Sequence, residues 1–189
     1  MNSKKLEKHN KEQNLVWIDM EFTGLADHQI ILEIACLVTD KELNVLSEGL
    51  NLVIHRSEAE LLKIEEWSLN THTESGLMEK VKHSLLSIEE ADKQVVEFIG
   101  QFTVKRKAIL CGNSIHTDRR FIHREMPLLD NFLHYRMVDV TSVKELIERW
   151  YPEKPTTPPK KNSHAALDDI KESLAELKWY KDHFFVAIA

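Results

Sequence analysis

The sequence predicts a mixed α/β fold in which a central sheet of about five strands is flanked by helices. Two observations support this class. Three strand-like segments follow one another closely in the first third of the chain, which indicates antiparallel pairing through short connections. Short apolar strands then alternate with helical patterns, as in β–α units. Since no internal repeat is present, residues 15–189 are predicted to form one domain behind a polar N-terminal arm, residues 1–14.

The predicted strands are short runs rich in apolar and β-branched residues, the composition that suits a pleated, buried surface. The first three are predicted over residues 15–21, 30–39 and 45–54. The last two are predicted over residues 108–112 and 135–140.

Helical spacing of apolar residues begins near residue 58 and continues to about residue 102. Within it, Ser87 and Glu90 have the spacing of a capping box. Further helices are predicted from near residue 118 to 127 and from the fifth strand to residue 150. Thr141 or Ser142 is expected where the second of these begins. The Pro-rich residues 152–159 predict a loop, and a long final helix follows it.

The composition limits the kinds of partner. The net charge is −6, whereas proteins that hold long nucleic acids through many phosphates carry a basic surface. A small anionic substrate held by metal ions remains compatible with this charge. No apolar run approaches the roughly 20 residues of a membrane span. Cys36 and Cys111 lie in apolar segments, as buried reduced thiols do, and the N-terminus is polar, so a cytoplasmic location is expected.

The stretch "LVWIDMEFTG" ends a predicted core strand with two carboxylates. Because strand side chains alternate, Asp19 and Glu21 lie on one face, about 7 Å apart at their backbones. Two like charges at this distance raise at least one pKa unless cations neutralise them. The alternative is that the strand has ended and both groups face water.

Further acids occur at other predicted element ends. Asp118 follows a short strand and a "GNS" turn, and Asp168 and Asp169 begin the last helix. Each could be a helix-start acid that the helix dipole favours. Together with the strand carboxylates they also suit a divalent-metal site for phosphoryl transfer. His164 precedes the last helix and could take a proton from a metal-bound water, or could be a surface histidine.

Four ordered motifs carry a family resemblance: "WIDMEFTGL", "GNSIHTDRRF", "HYRMVDVTSVKEL" and "SHAALDDI". Together they resemble the oligoribonuclease family of DEDDh-type 3′-to-5′ exoribonucleases, which have an RNase H-like exonuclease fold. The resemblance covers the chain from Leu15 to about Phe184. It implies that residues 15–189 are an exonuclease domain.

The resemblance implies a metal site and a general base. His164 matches the base, and the family places its last acid five residues later, which selects Asp169 over Asp168. Four acids match the ligands of two divalent cations, Mg²⁺ or Mn²⁺: Asp19, Glu21, Asp118 and Asp169.

The resemblance also implies substrate contacts. Leu25 and Trp67 match residues that pack on the two bases of a short RNA, and an exposed aromatic can contribute about 1–3 kcal/mol per stacked base. The alternative for Trp67 is a place in the core of an amphipathic helix. His72 falls at an active-site position. Tyr135 matches a tyrosine that reaches the active site of the other subunit in a homodimer.

A cap around the 5′-phosphate of the substrate is implied at Ser114, Arg136, Thr141 and Ser142. A guanidinium such as that of Arg136 can bind a phosphate through two hydrogen bonds, although a surface ion pair is equally compatible with its position. A closed cap would select very short oligomers and would need no basic track.

The expected activity is therefore hydrolysis of very short oligoribonucleotides to nucleoside 5′-monophosphates, with no membrane and no long duplex as partner. Two alternatives stay open. A DNA-proofreading type of exonuclease shares the acids and the histidine and would digest single-stranded DNA. A non-catalytic RNA-binding protein would have lost part of this set.

Overall fold

The computed structural model describes residues 10–153 and 166–186. The N-terminal arm, the Pro-rich loop and His164 therefore lie wholly or mostly outside the described residues. One mixed sheet of five strands runs in the order β3-β2-β1-β4-β5. Its strands are β1 (Leu15–Phe22), β2 (Ile31–Thr39), β3 (Leu50–Val53), β4 (Ile109–Gly112) and β5 (Met137–Asp139).

The first three strands pair antiparallel, whereas β4 and β5 run parallel to β1. The predicted mixed α/β class is thus confirmed. The helices in the described ranges are α1 (Glu58–Leu61), α2 (Glu66–Glu74), α3 (Leu77–His83), α4 (Ile88–Gly100), α5 (His116–Glu125), α6 (Pro127–Phe132), α7 (Val140–Trp150) and α8 (Ala166–Phe184). None of them combines the length and the hydropathy that crossing a membrane would require.

Strand β1 is the centre of the molecule and is buried on both faces. Val16, Ile18, Met20 and Phe22 point into a core cluster shared with α4 and α5. Trp17 points the other way, into a second cluster shared with α7 and α8. The predicted alternation is confirmed. It places Asp19 and Glu21 on the α8 side of the sheet, where β1 ends.

Three predicted boundaries are wrong because tertiary contacts override local pattern. The fifth strand is limited to Met137–Asp139, and Val140 already begins α7. The third strand is limited to Leu50–Val53, where it pairs with β2, and Val45 makes only an isolated bridge to Thr39. The helix predicted to reach Pro127 stops at Glu125, and Pro127 begins the separate helix α6. Proline is suited to a first helical position because it lacks the N–H that helix interiors require.

The starts of two helices can be compared with their predicted caps. Ser87 accepts a hydrogen bond from the Glu90 N–H at 3.2 Å, so the predicted start of α4 is confirmed. Helix α7 begins one residue before Thr141 and is capped by Asp139, whose carboxylate accepts from the Thr141 N–H at 3.0 Å. Thr141 and Ser142 therefore lie in the first turn and do not supply the cap.

Candidate active site

Carboxylates from two elements, β1 and α8, converge at the end of β1. Oxygens of Asp19, Glu21 and Asp169 all lie within 4.8 Å of one another. The first two come from the strand itself, and Asp169 comes from the first turn of α8. Asp168, the neighbour that the resemblance did not select, is exposed and pairs with Lys171 at 3.0 Å.

Asp118 reaches the same region from the other side of the sheet. Strand β4 runs parallel to β1 and ends at Gly112, where a Cβ atom would lie 2.9 Å from the Ile18 carbonyl oxygen. The absence of a side chain lets the following turn pack directly against β1. Helix α5 then begins at His116 and holds Asp118 in its first turn, with 6% of the residue exposed.

The electrostatics of the cluster follow from burial and like charge. Burial raises the pKa of Glu21 to about 8, helped by the charges of Asp19, Glu33 and Asp169. Burial also raises the pKa of Asp118 well above its usual range, and the Asp19 charge adds to this shift. Each group is held where its ionised form is unfavourable without a neighbouring cation.

Glu33 is a further carboxylate that the sequence reading missed. It lies directly opposite Glu21 in the β1–β2 register, is buried, and accepts a hydrogen bond from Asn51 Nδ2 at 3.0 Å. Directly paired residues share a sheet face, so Glu33 adds negative charge behind the cluster. The signal was a lone acid in the apolar stretch "IILEIACLVT".

The residues present fit a divalent cation. Three carboxylates converge within bonding reach of one ion, and oxygen donors are what Mg²⁺ and Mn²⁺ prefer. Burial, with neighbouring like charges, raises the pKa values of Glu21 and Asp118, and such an ion would favour their ionised forms. Asp19, Glu21 and Asp169 would hold the ion, and Asp118 lies close enough for its charge to interact with two of them.

His72 is buried beside the cluster. Its Nε2 donates to the Phe22 carbonyl oxygen at 2.8 Å, and its Nδ1 lies 3.8 Å from Glu21 Oε2. Because a carbonyl oxygen only accepts, Nε2 carries a proton in this contact, and Nδ1 faces Glu21. His72 is therefore a neighbour of the acids, as expected for an active-site position.

The acids open into a cleft of about 440 Å³. Leu25 and Trp67 stand at this cleft with 60% and 69% of their surfaces exposed. Trp67 is thus not a core residue, so the alternative of a buried helix position is wrong. The lining residues are Asp19, Met20, Glu21, Phe22, Gly24, Leu25, Glu65, Trp67, Ser68, His72, Asn113, Ser114, Thr117 and Asp118.

Two of the expected phosphate-cap residues are in contact. The Ser114 N–H donates to Thr141 Oγ1 at 2.9 Å and to Asp139 Oδ1 at 3.0 Å, and the Ser114 and Thr141 hydroxyls lie 3.3 Å apart. Ser114 adopts a positive φ of 47° in this turn. The contact places the start of α7 against the turn that leads into α5.

The other expected residues lie on the surface. Arg136 donates from Nε to the Tyr135 hydroxyl at 3.0 Å, and Tyr135 stacks on His134. Ser142 is exposed in the first turn of α7. Tyr135, Arg136, Thr141 and Ser142 do not line the cleft formed by the described residues, so their contacts with substrate stay predictions. His164 lies outside the described residues.

Comparisons with known proteins show the family to which the chain belongs. A family model described as Exonuclease matches residues 16–177. An oligoribonuclease of Photobacterium profundum is 51% identical over 176 residues, which are 92% of this chain and 97% of that protein. An oligoribonuclease of Aeromonas hydrophila is 51% identical over 174 residues, covering 92% and 96% of the two chains.

Solved structures of larger exonucleases share the fold. Exonuclease I of Methylocaldum szegediense matches with a TM-score of 0.68 and 17% identity, over 90% of this chain and 41% of that one. The zinc-bound complex of E. coli exonuclease I with single-stranded DNA matches with a TM-score of 0.67 and the same identity, over 91% and 41%. The chain spans less than half the length of these structures, and at 17% identity they show the fold alone. By its family match and its close relatives, the chain belongs to the exonuclease family and, within it, to the oligoribonucleases.

Proposed function

We propose that this member of the family is a 3′-to-5′ exoribonuclease that hydrolyses very short oligoribonucleotides to nucleoside 5′-monophosphates. The observation that carries the proposal is the convergence of Asp169 with Asp19 and Glu21, two acids that line a cleft together with Leu25 and Trp67. The acids suit phosphodiester chemistry, and the two exposed apolar side chains suit the faces of nucleobases.

The residues have distinct roles in this proposal. Leu25 and Trp67 pack on the bases and bring the terminal phosphodiester over the acids. His164, which the family resemblance assigns as base, takes the proton from the water that attacks phosphorus while the bond to the 3′-oxygen breaks. Two bound divalent cations, Mg²⁺ or Mn²⁺, would supply activation of that water and stabilisation of the leaving oxygen.

The size of the cleft supports a short substrate. A space of about 440 Å³ holds few nucleotides, and the net charge of −6 does not favour a long phosphate chain. Ser114, Arg136, Thr141 and Ser142 are proposed to bind the 5′-phosphate, and the contact between Ser114 and Thr141 supports part of this cap. A single-stranded DNA exonuclease is the rival that the test must separate.

We further propose a homodimer and a cytoplasmic location. Tyr135 and Trp150 are large aromatic residues that are 70% and 65% exposed, which is typical of surfaces that bind another subunit. Cys36 and Cys111 are buried free thiols, which suits a reducing compartment.

A length series tests the function. We expect 5′-labelled RNA of two nucleotides to be hydrolysed faster than RNA of five or ten, and faster than DNA of the same length, in Mg²⁺ or Mn²⁺. Faster cleavage of the longer RNA would contradict the capped site. Faster cleavage of DNA would favour the proofreading-like rival.

Substitutions at the acids test the proposed site in the same assay, with Asp168→Asn as the matched control. Asp19→Asn and Asp169→Asn remove one charge each with little change in shape, so turnover of the dinucleotide should fall about 100-fold or more. Asp168→Asn alters the exposed neighbour and should leave turnover near that of the unaltered protein. Full activity in Asp19→Asn would overturn the proposed site. If the unaltered protein bound RNA without cutting it, the non-catalytic RNA-binding alternative would be favoured.

A further inference from the structure

The two apolar borders of the cleft belong to different segments of the chain. Leu25 lies in the connection between β1 and β2, residues 23–30, which we term the Leu25 loop. Helix α2 has Glu65 as its N-cap and begins at Glu66, so Trp67 is its second residue. Both side chains are mostly exposed, so their separation depends on what joins the two segments beneath them.

Gln29 makes this connection from a buried position in the Leu25 loop, with 2% of its surface exposed. Its side-chain oxygen accepts from the Thr23 hydroxyl at 2.6 Å, within the loop. Its side-chain nitrogen donates to the Lys63 carbonyl at 3.0 Å, in the segment that leads into α2. The same nitrogen lies 3.1 Å from His28 Nε2 and 3.4 Å from Glu65 Oε1.

A close approach of the backbone reinforces the connection. The Glu65 N–H donates to the Thr23 carbonyl at 2.8 Å. A Cβ atom at Gly24 would lie 2.3 Å from Glu65 Cδ, so the Leu25 loop passes directly over the Glu65 side chain. Thr23 and Gly24, which precede Leu25, are thus in contact with Glu65, two residues before Trp67.

The Leu25 loop is also held to the helix that carries Asp118. In α5, Arg120 donates to the Leu25 carbonyl and pairs with Asp27 at 3.2 Å. Arg124 donates to the carbonyl oxygens of Asp27 and Gln29. Removing the Gln29 side chain therefore leaves the loop tied to α5 while it loses a link to the α2 segment.

We propose that Gln29 is a positioning residue that fixes the separation of Leu25 and Trp67 and thereby sets how tightly a short substrate is held. The inference rests on the proposed function, in which these two side chains pack on the bases. Gln29 makes no hydrogen bond to Asp19, Glu21 or Asp118 among the described residues and does not line the cleft, so it acts through the two segments that it joins.

The proposal predicts a change in binding with little change in chemistry. Gln29→Ala should raise KM for a diribonucleotide about tenfold, because base stacking depends on the spacing of the two side chains. The value of kcat should stay within about threefold, since Asp19 and Glu21 are held by β1 and are not touched by Gln29. Gln29→Glu keeps the acceptor for Thr23, loses the donor to Lys63, and should raise KM similarly.

A double-mutant cycle separates positioning from general loss of structure. Trp67→Ala should itself raise KM, and adding Gln29→Ala to it should raise KM by no more than about twofold further, because the spacing no longer matters. Thermal melts establish that each variant is folded. Gln101→Ala, which removes an exposed glutamine at the end of α4, is the matched control and should leave KM unchanged.

The outcomes distinguish this inference from the function on which it rests. A folded, unaltered protein that does not cut the diribonucleotide refutes the proposed function. If that protein is active and Gln29→Ala leaves KM unchanged, the positioning role is refuted and the function stands. Fully additive effects of Gln29→Ala and Trp67→Ala, or an equal fall in kcat, would also refute it.

Discussion

Glu21 is a partly buried carboxylate that has three other acidic residues as neighbours. Asp19 stands on the same face of β1, Glu33 stands opposite on β2, and Asp169 arrives from α8. With burial as the main cause, these charges raise the pKa of Glu21 to about 8 from its ordinary 4.5. Without a cation, the folded protein therefore holds a proton at neutral pH that the unfolded chain releases.

Because of this proton, the free energy of unfolding of the metal-free protein depends on pH. Because the pKa of Glu21 is raised in the folded state, its contribution to the free energy of unfolding is fully present below about pH 4.5. This contribution is lost as the pH rises through about 8. We expect the unfolding temperature in chelator to fall across this window. Glu21→Gln should flatten the fall, whereas Glu97→Gln, at an exposed site on α4, should leave it unchanged. Melts at a series of pH values would show an undiminished slope in Glu21→Gln if the assignment were wrong.

At the scale of secondary-structure elements, the buried carboxylate of Asp92 links helices α4 and α6. Asp92 of α4 accepts hydrogen bonds from the backbone N–H groups of Leu128 and Leu129, each at 2.8 Å. These groups belong to the first turn of α6, which has only six residues and cannot persist on its own. Burial raises the pKa of Asp92. The carboxylate thus joins two helices that both pack on the core.

Removing this carboxylate should destabilise the fold without altering the chemistry. Asp92→Ala leaves the part-buried Leu128 N–H and the buried Leu129 N–H without their partner, so the free energy of unfolding should fall by about 1–3 kcal/mol. Asp92→Asn retains one acceptor oxygen and should lose less. Urea denaturation measures the change, and Glu97→Ala on the same helix is the exposed control. A large fall in kcat of the folded Asp92→Ala protein would show that α6 matters to the active site.

How far the elements could be predicted depends on whether their cause is local. The alternation of β1 is a local property, so its two faces and the shared face of Asp19 and Glu21 were predictable. The cap at Ser87 was predictable for the same reason. The use of Asp139 as a cap and the shortening of β3 depend on which strands pair, which the local pattern does not contain.

The residues of the candidate active site divide in the same way, into those marked by local sequence and those whose role depends on tertiary contacts. Its acids stand at element ends and were found from sequence, because motif order and strand alternation both marked them. Glu33 was missed, since a single acid in an apolar strand shows its role only when the register places it opposite Glu21. Gln29 gave no signal either. Its importance comes from Lys63 and Thr23, which are distant from each other along the chain and adjacent in space.

At the scale of the whole molecule, two exposed aromatic residues are close in sequence to β5, the strand at one edge of the sheet. Tyr135 precedes this edge strand, and Trp150 ends the helix that follows it. Edge strands and exposed aromatic side chains are features that a second subunit can cover. In the proposed homodimer, Tyr135 of one subunit reaches the active site of the other, so neither site is complete in a monomer.

A mixed dimer tests this arrangement. Asp19→Asn and Tyr135→Ala proteins should each be nearly inactive, the first for lack of an acid and the second for lack of the tyrosine. If they are co-expressed in equal amounts, half of the dimers pair one of each, and each mixed dimer has one complete site. The mixture should therefore regain roughly a quarter of the activity of the unaltered protein on a diribonucleotide. Activity that stays at the level of the parents, or a mass in light scattering equal to one chain, would contradict the shared site.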